Sequence, residues 1–327
     1  MIDINDLITI PYTPDLTEGG ITLACRSLPR IYNPIGSSSF DRLRRIAASA
    51  AVELALRRFL NQQNIPFTVR SAAPFSEPDR FDVSLGGHRC DLRSYLISHR
   101  KQITALRKEP GLLLNAPALV PLDQYSIGSQ SAEDIYLFAF LTGLISAASS
   151  ELKQSTAPNL PGYLIHVMPK TWSRPPAWIP LGPLTLKSET DEILTLEIGG
   201  QDAAREFLTR SLELPARTRC VVDADFYSLS YIHVKSKPGA RLGVFSPSRN
   251  ETYLIKSNGW GNIWVYGMDI YFTGWMSSSE FRQRARLIPE GSRVFQFDQT
   301  RSKNLAVTIS DLKPMKELFE RVRKWKG

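Results

Sequence analysis

The chain has 327 residues, of which 43% are hydrophobic and 22% charged, with a formal net charge of +8. That length can bury a full core and hold two domains of ordinary globular composition, and the positive excess favours a polyanionic partner without specifying which one. Three scattered cysteines with no CxxC pair, and four histidines with no HxxxH or HExxH spacing, argue against a disulfide framework, a structural zinc site and histidine-based metal chemistry, and fit a reducing, cytoplasmic setting.

Residues 1–38 are rich in Pro, Thr and Gly and end in NPIGSSSF, which predicts an irregular N-terminal arm; its acidic start lacks the pattern of a secretory signal. From Phe40 to Gln63 the spacing of Leu43, Ile46, Ala50, Leu56, Phe59 and Leu60 predicts a helix, capped by one of Ser37 to Ser39. Glu53 lies in it among alanines and aliphatic residues. Exposed, such an acid is unremarkable; buried, it needs a cation or hydrogen-bond donors.

The stretch RFDVSLGGHRCDLRSY, Arg80 to Tyr95, predicts a β-hairpin turning at Gly86-Gly87, since a two-residue turn needs positive φ angles. The register follows: Leu85 faces His88, Ser84 faces Arg89, Val83 faces Cys90 and Asp82 faces Asp91. Phe81, Val83, Leu85, Cys90 and Leu92 then share a buried face, while Asp82, Arg89, Asp91 and Arg93 share the other. Either that face is simply solvated, or the two facing acids, whose repulsion would weaken the ladder, share a divalent cation such as Mg²⁺.

Beyond the hairpin, SYLISHRKQITALRKEP predicts a helix carrying Arg100 and Lys101, either as phosphate contacts or as an ordinary charged helix face. GLLLNAPALVPLDQY is loop-like. Ile135 to Phe140 predicts a buried strand and Leu141 to Lys153 a helix, a run too short to span a bilayer. Gln154 to Pro183, with seven prolines, predicts an inter-domain connection. From Leu184 onward the pattern is mostly β, interrupted by a helix at Gln201 to Leu212. Ser277-Ser278-Ser279-Glu280 forms a capping box, and Leu312 to Trp325 carries an apolar stripe that predicts a docked C-terminal helix.

Asp82, then eight residues, then Asp91-Leu92-Arg93, resembles the signature of the PD-(D/E)XK phosphodiesterase superfamily, and the preceding helix and following strand resemble its core order. The resemblance implies an α/β fold: a restriction-endonuclease-like core of helix, β-hairpin, strand and helix over residues 39–155, a Pro-rich connection over 156–183, and a mostly β second domain with a C-terminal helix over 184–327. It implies a Mg²⁺-dependent (or Mn²⁺-dependent) DNA endonuclease, with RNA still open as a partner, in restriction or phage defence, as a homodimer or a subunit of a defence complex. Asp82, Asp91 and Glu53 are then the metal ligands, Arg93 acts on the phosphate, and Arg89, Arg100 and Lys101 bind nucleic acid. Removing either aspartate is expected to leave the fold intact or steadier. The family's motif ends in Lys where this chain has Arg93, a side chain that stays protonated. The alternative is therefore a catalytically silent nuclease fold, a nucleic-acid-binding subunit of a larger complex.

Overall fold

Apolar runs of period two become strands and amphipathic stretches become helices in a mixed α/β protein. The computed structural model describes residues 2–30, 39–69, 83–123, 131–146 and 160–324. Its strands are β1 (Ile8–Pro11), β2 (Val83–Leu85), β3 (His88–Ile97), β4 (Pro117–Pro121), β5 (Ile135–Ile145), β6 (Leu164–Val167), β7 (Thr185–Ser188), β8 (Leu194–Gln201), β9 (Phe207–Leu214), β10 (Arg219–Val221), β11 (Ser228–Val234), β12 (Leu242–Ser246), β13 (Glu251–Ile255), β14 (Gly261–Asn262), β15 (Val265–Ser277), β16 (Arg286–Ile288) and β17 (Asn304–Thr308). Its helices are α1 (Pro14–Ser27), α2 (Ser39–Gln62), α3 (Arg100–Lys108), α4 (Lys170–Ser173), α5 (Ser278–Arg284) and α6 (Met315–Lys324). Among the described residues no helix is long and apolar enough to cross a membrane.

Two compact units share the chain. The first comprises Met1–Thr17, Ala48–Leu144 and Tyr266–Gly327, the second Glu18–Ala47 and Ile145–Val265. This corrects the expected boundaries: the stretch after Tyr266 returns to the first unit instead of completing a domain over 184–327. The residues of the supposed connection that are described, from Leu160 on, belong to the second unit, with Trp172 fully buried.

In the first unit one sheet has the order β1-β15-β5-β3-β2, with β2 antiparallel to β3 and β3 parallel to β5. The parallel pair needs a crossover, and α3 lies within it. Thr68 adds an antiparallel bridge to Ser84. The odd-numbered face of β3 meets a buried core in which Tyr95 packs with Phe140, Ile103 and Leu106 of α3, and Phe281 of α5. Tyr95 is fixed there because its hydroxyl donates to the Leu119 carbonyl at 2.6 Å and accepts from the Leu119 amide at 2.7 Å. The even-numbered face meets α2, where the Ser94 hydroxyl donates to that of Ser49 at 3.1 Å. Ser277 caps α5 in the expected capping box with Glu280, and Met315, Leu318, Phe319 and Val322 form the buried stripe of α6.

The second unit is a sandwich. Its sheets run β14-β6-β11-β8-β9 and β10-β7-β12-β13, and Leu196, Ile198, Ile232, Leu186, Val244 and Ile255 fill the space between them.

Four local expectations fail for physical reasons. The N-terminal arm contains β1 and α1: Pro14 suits the first helical turn, and Gly20 packs where a Cβ would collide with the Ala47 backbone. Gln201 to Leu212 is not helical, because Arg205 turns the chain at φ 65° and Leu208, Leu212 and Leu214 then alternate along β9 onto the core. The GLLLNAPALVPLDQY loop contains β4, paired with the distant β17, from Asn304 on Pro121 to Thr308 on Pro117. Leu141 onward continues β5 to Ile145 rather than starting a helix, and residues 147–159 lie outside the described ones.

Candidate metal centre

The hairpin forms as its glycines require. Gly86 and Gly87 take φ of 55° and 75°, a left-handed pair that closes a two-residue turn between right-twisted strands. The ladder pairs Val83 with Cys90, Ser84 with Arg89 and Leu85 with His88, the register expected from the turn. Val83, Leu85, Cys90 and Leu92 are buried on the predicted face. Asp82, the expected partner of Asp91, lies outside the described residues.

Asp91 and Arg93 stand two apart on the odd face of β3 and form an ion pair, with side chains 13% and 20% exposed. Burial pushes the Asp91 carboxyl above its ordinary range, the Arg93 charge beside it pulls the other way, and burial prevails. Burial also works against the Arg93 charge, but the Asp91 carboxylate overrides it and holds the guanidinium protonated. The third charge was not singled out in the sequence. Asp134, at the foot of the parallel neighbour β5, is buried and close enough to raise the Asp91 carboxyl further. Its carboxylate accepts the Ser131 amide at 2.9 Å. An acid directly before an apolar strand is the only mark it leaves in the sequence.

Two expectations change here. Removing Asp91 would not steady the fold, because it strips the buried Arg93 guanidinium of this carboxylate; breaking a buried pair costs about 3 kcal/mol or more. Glu53 is not brought to Asp91. It pairs with Arg57 one turn along α2, and the Ser49–Ser94 contact sets α2 on the face of β3 opposite Asp91 and Arg93. Arg89 is half-buried on the same face as Asp91, and Arg100 and Lys101 are exposed in the first turn of α3.

Among the described residues no group of three His, Cys, Asp or Glu side chains is placed to hold a metal ion. What is present does suit a hard divalent cation. Asp91, paired with Arg93, and the buried Asp134, close enough to raise the Asp91 carboxyl, offer the oxygen donors such an ion takes. Compared with protein-family models, curated proteins and solved structures, the chain matches none.

Proposed function

We propose that the first unit is a metal-dependent nuclease unit of restriction-endonuclease-like architecture, hydrolysing phosphodiester bonds in DNA, with RNA still open. The observation that carries this is the hairpin register: Val83, Ser84 and Leu85 pair with Cys90, Arg89 and His88, the register from which the acidic motif is read, and Asp91 of that hairpin is paired with Arg93. The element order supports it, since α2, the bridge at Thr68, the hairpin, α3 and the parallel strand β5 follow one another as such a core requires.

Asp82 and Asp91 would hold Mg²⁺ or Mn²⁺, which when bound polarises a phosphoryl oxygen and acidifies a water. Asp134 adds the negative charge that draws a cation to this spot. Arg93 cannot serve as a general base, because its guanidinium does not release a proton; it orients Asp91 and stabilises charge on the phosphate. Arg100 and Lys101, exposed at the start of α3, would hold neighbouring backbone phosphates and set the register of the strand.

The Asp91–Arg93 pair also favours a second reading. A carboxylate already compensated by arginine needs less from a cation, which suits a silent nuclease fold that only binds nucleic acid. Supercoiled plasmid separates the two. A nuclease converts it to nicked or linear product with Mg²⁺ or Mn²⁺ and stops in EDTA; a silent module retards it equally under all three conditions and never cuts.

A further inference from the structure

The outer face of the second unit's four-stranded sheet carries a feature that packing does not explain. Arg219 of β10 and Lys187 of β7 sit directly opposite each other across an antiparallel ladder, a like-charge rung that costs stability. Both are exposed, and neither has an ion-pair partner among the described residues. Glu189, on the same face, is engaged by Arg241, whose guanidinium donates to both its oxygens at 2.9 and 3.0 Å. On the other side of Lys187 the ladder meets Gly243. A Cβ there would make only an ordinary 3.4 Å contact with the Leu254 side chain, so the fold does not require glycine. Glycine inside a strand weakens it and often marks where a ligand approaches closely. The bare backbone deepens a depression of about 540 Å³, walled by Phe245, Leu254, Thr185, the two cations and Glu189, whose charge Arg241 offsets.

We propose that this face binds an unpaired nucleic-acid strand, its phosphates on Lys187 and Arg219 and a base on the half-exposed Phe245 ring over Gly243. Paired cations beside one aromatic ring and an apolar floor match a phosphate backbone with stacked bases. A duplex is disfavoured by width: four strands about 4.8 Å apart span roughly 14 Å before side chains are added, more than the roughly 12 Å major groove. The site lies outside the nuclease unit and does not depend on the metal chemistry proposed there.

Fluorescence anisotropy of the full-length protein with labelled dT15 and with a labelled 15-base-pair duplex, both in EDTA, tests it. The single strand should bind at least about tenfold more tightly than the duplex. Charge reversal by Lys187→Glu with Arg219→Glu should weaken binding at least tenfold and reduce the salt slope by about 1.4, two single-strand phosphate contacts at about 0.7 each. Phe245→Ala should cost about fivefold, the low end for stacking one base. Gly243→Val fills the floor with a strand-favouring residue, so it should melt no lower than the parent while binding more weakly. Because the titrations are run in EDTA, dT15 binding is read apart from the metal-dependent cleavage of the nuclease reading. Unchanged dT15 affinity in Gly243→Val and the double reversal, or equal affinity for duplex, would each overturn the proposal.

Discussion

Two pairs of charges, one in each unit, show how burial decides what a charge is for. On the hairpin, Asp91 is nearly enclosed, and the chain places Arg93 on the same face of the same strand to answer it. On the four-stranded sheet, Lys187 and Arg219 face each other in solvent with no ion-pair partner among the described residues, and the one carboxylate that feels the Lys187 charge, Glu189, is held by Arg241. Water screens the exposed pair cheaply, whereas a low dielectric makes the buried acid costly unless a cation stands nearby. A buried charge thus comes with its partner built in, and an exposed like-charge rung leaves that role open to a ligand.

The largest expected effect tests the buried side. Asp91→Ala should lose about 3–5 kcal/mol in urea unfolding, as for other broken buried pairs, while Asp91→Leu combined with Arg93→Met should recover most of it. A neutral Asp91→Ala would mean that the pair carries no structural weight, and the contrast with Lys187 and Arg219 would vanish.

A pH scan sharpens the contrast from the second unit's interior. Burial holds the imidazoles of His166 and His233 below their ordinary 6.5; their Nδ1–H groups donate to the carbonyls of Gly259 at 2.7 Å and Leu164 at 2.8 Å. The unfolded chain therefore takes up these protons first, and stability should fall as pH drops through about 6.5. Melting temperatures between pH 8 and 5.5 should show that fall, and His233→Gln should flatten it. A flat parent profile would mean that these rings titrate alike folded and unfolded.

Smaller effects follow at the surface. Ser277→Ala removes the cap of α5, whose hydroxyl accepts the Glu280 amide at 3.3 Å, and should cost about 1 kcal/mol in the same unfolding assay. Lys187→Ala should be neutral or stabilising by a few tenths of a kcal/mol, because it relieves the like-charge rung. Destabilisation there would make Lys187 a structural residue and break the comparison.

Local signals were readable in the sequence wherever one strong rule governed them. Gly86-Gly87 and a period of two set the hairpin register, Ser277 with Glu280 set the start of α5, and the stripe from Met315 to Val322 set α6. Elements decided by distant partners were hidden. Gly20 looks like a helix breaker until Ala47 packs against it, and β9 looks helical because it is an edge strand whose outward Thr209, Ser211 and Glu213 are polar. The return of β15 to the first unit has no local mark, since a strand's composition does not reveal which sheet it joins. At the site, Asp91 and Arg93 were visible as a motif, but their mutual pairing, the approach of Asp134 and the diversion of Glu53 to Arg57 depend on which faces meet.

The hairpin proposal is tested most directly by following supercoiled plasmid with Mg²⁺ and with Mn²⁺, using the parent and a folded Asp91→Asn variant side by side. The parent should yield nicked or linear DNA that EDTA prevents, and Asp91→Asn should leave the plasmid supercoiled. Intact plasmid with the parent in both metals, or equal cutting by Asp91→Asn, would contradict a metal-dependent nuclease built on that hairpin.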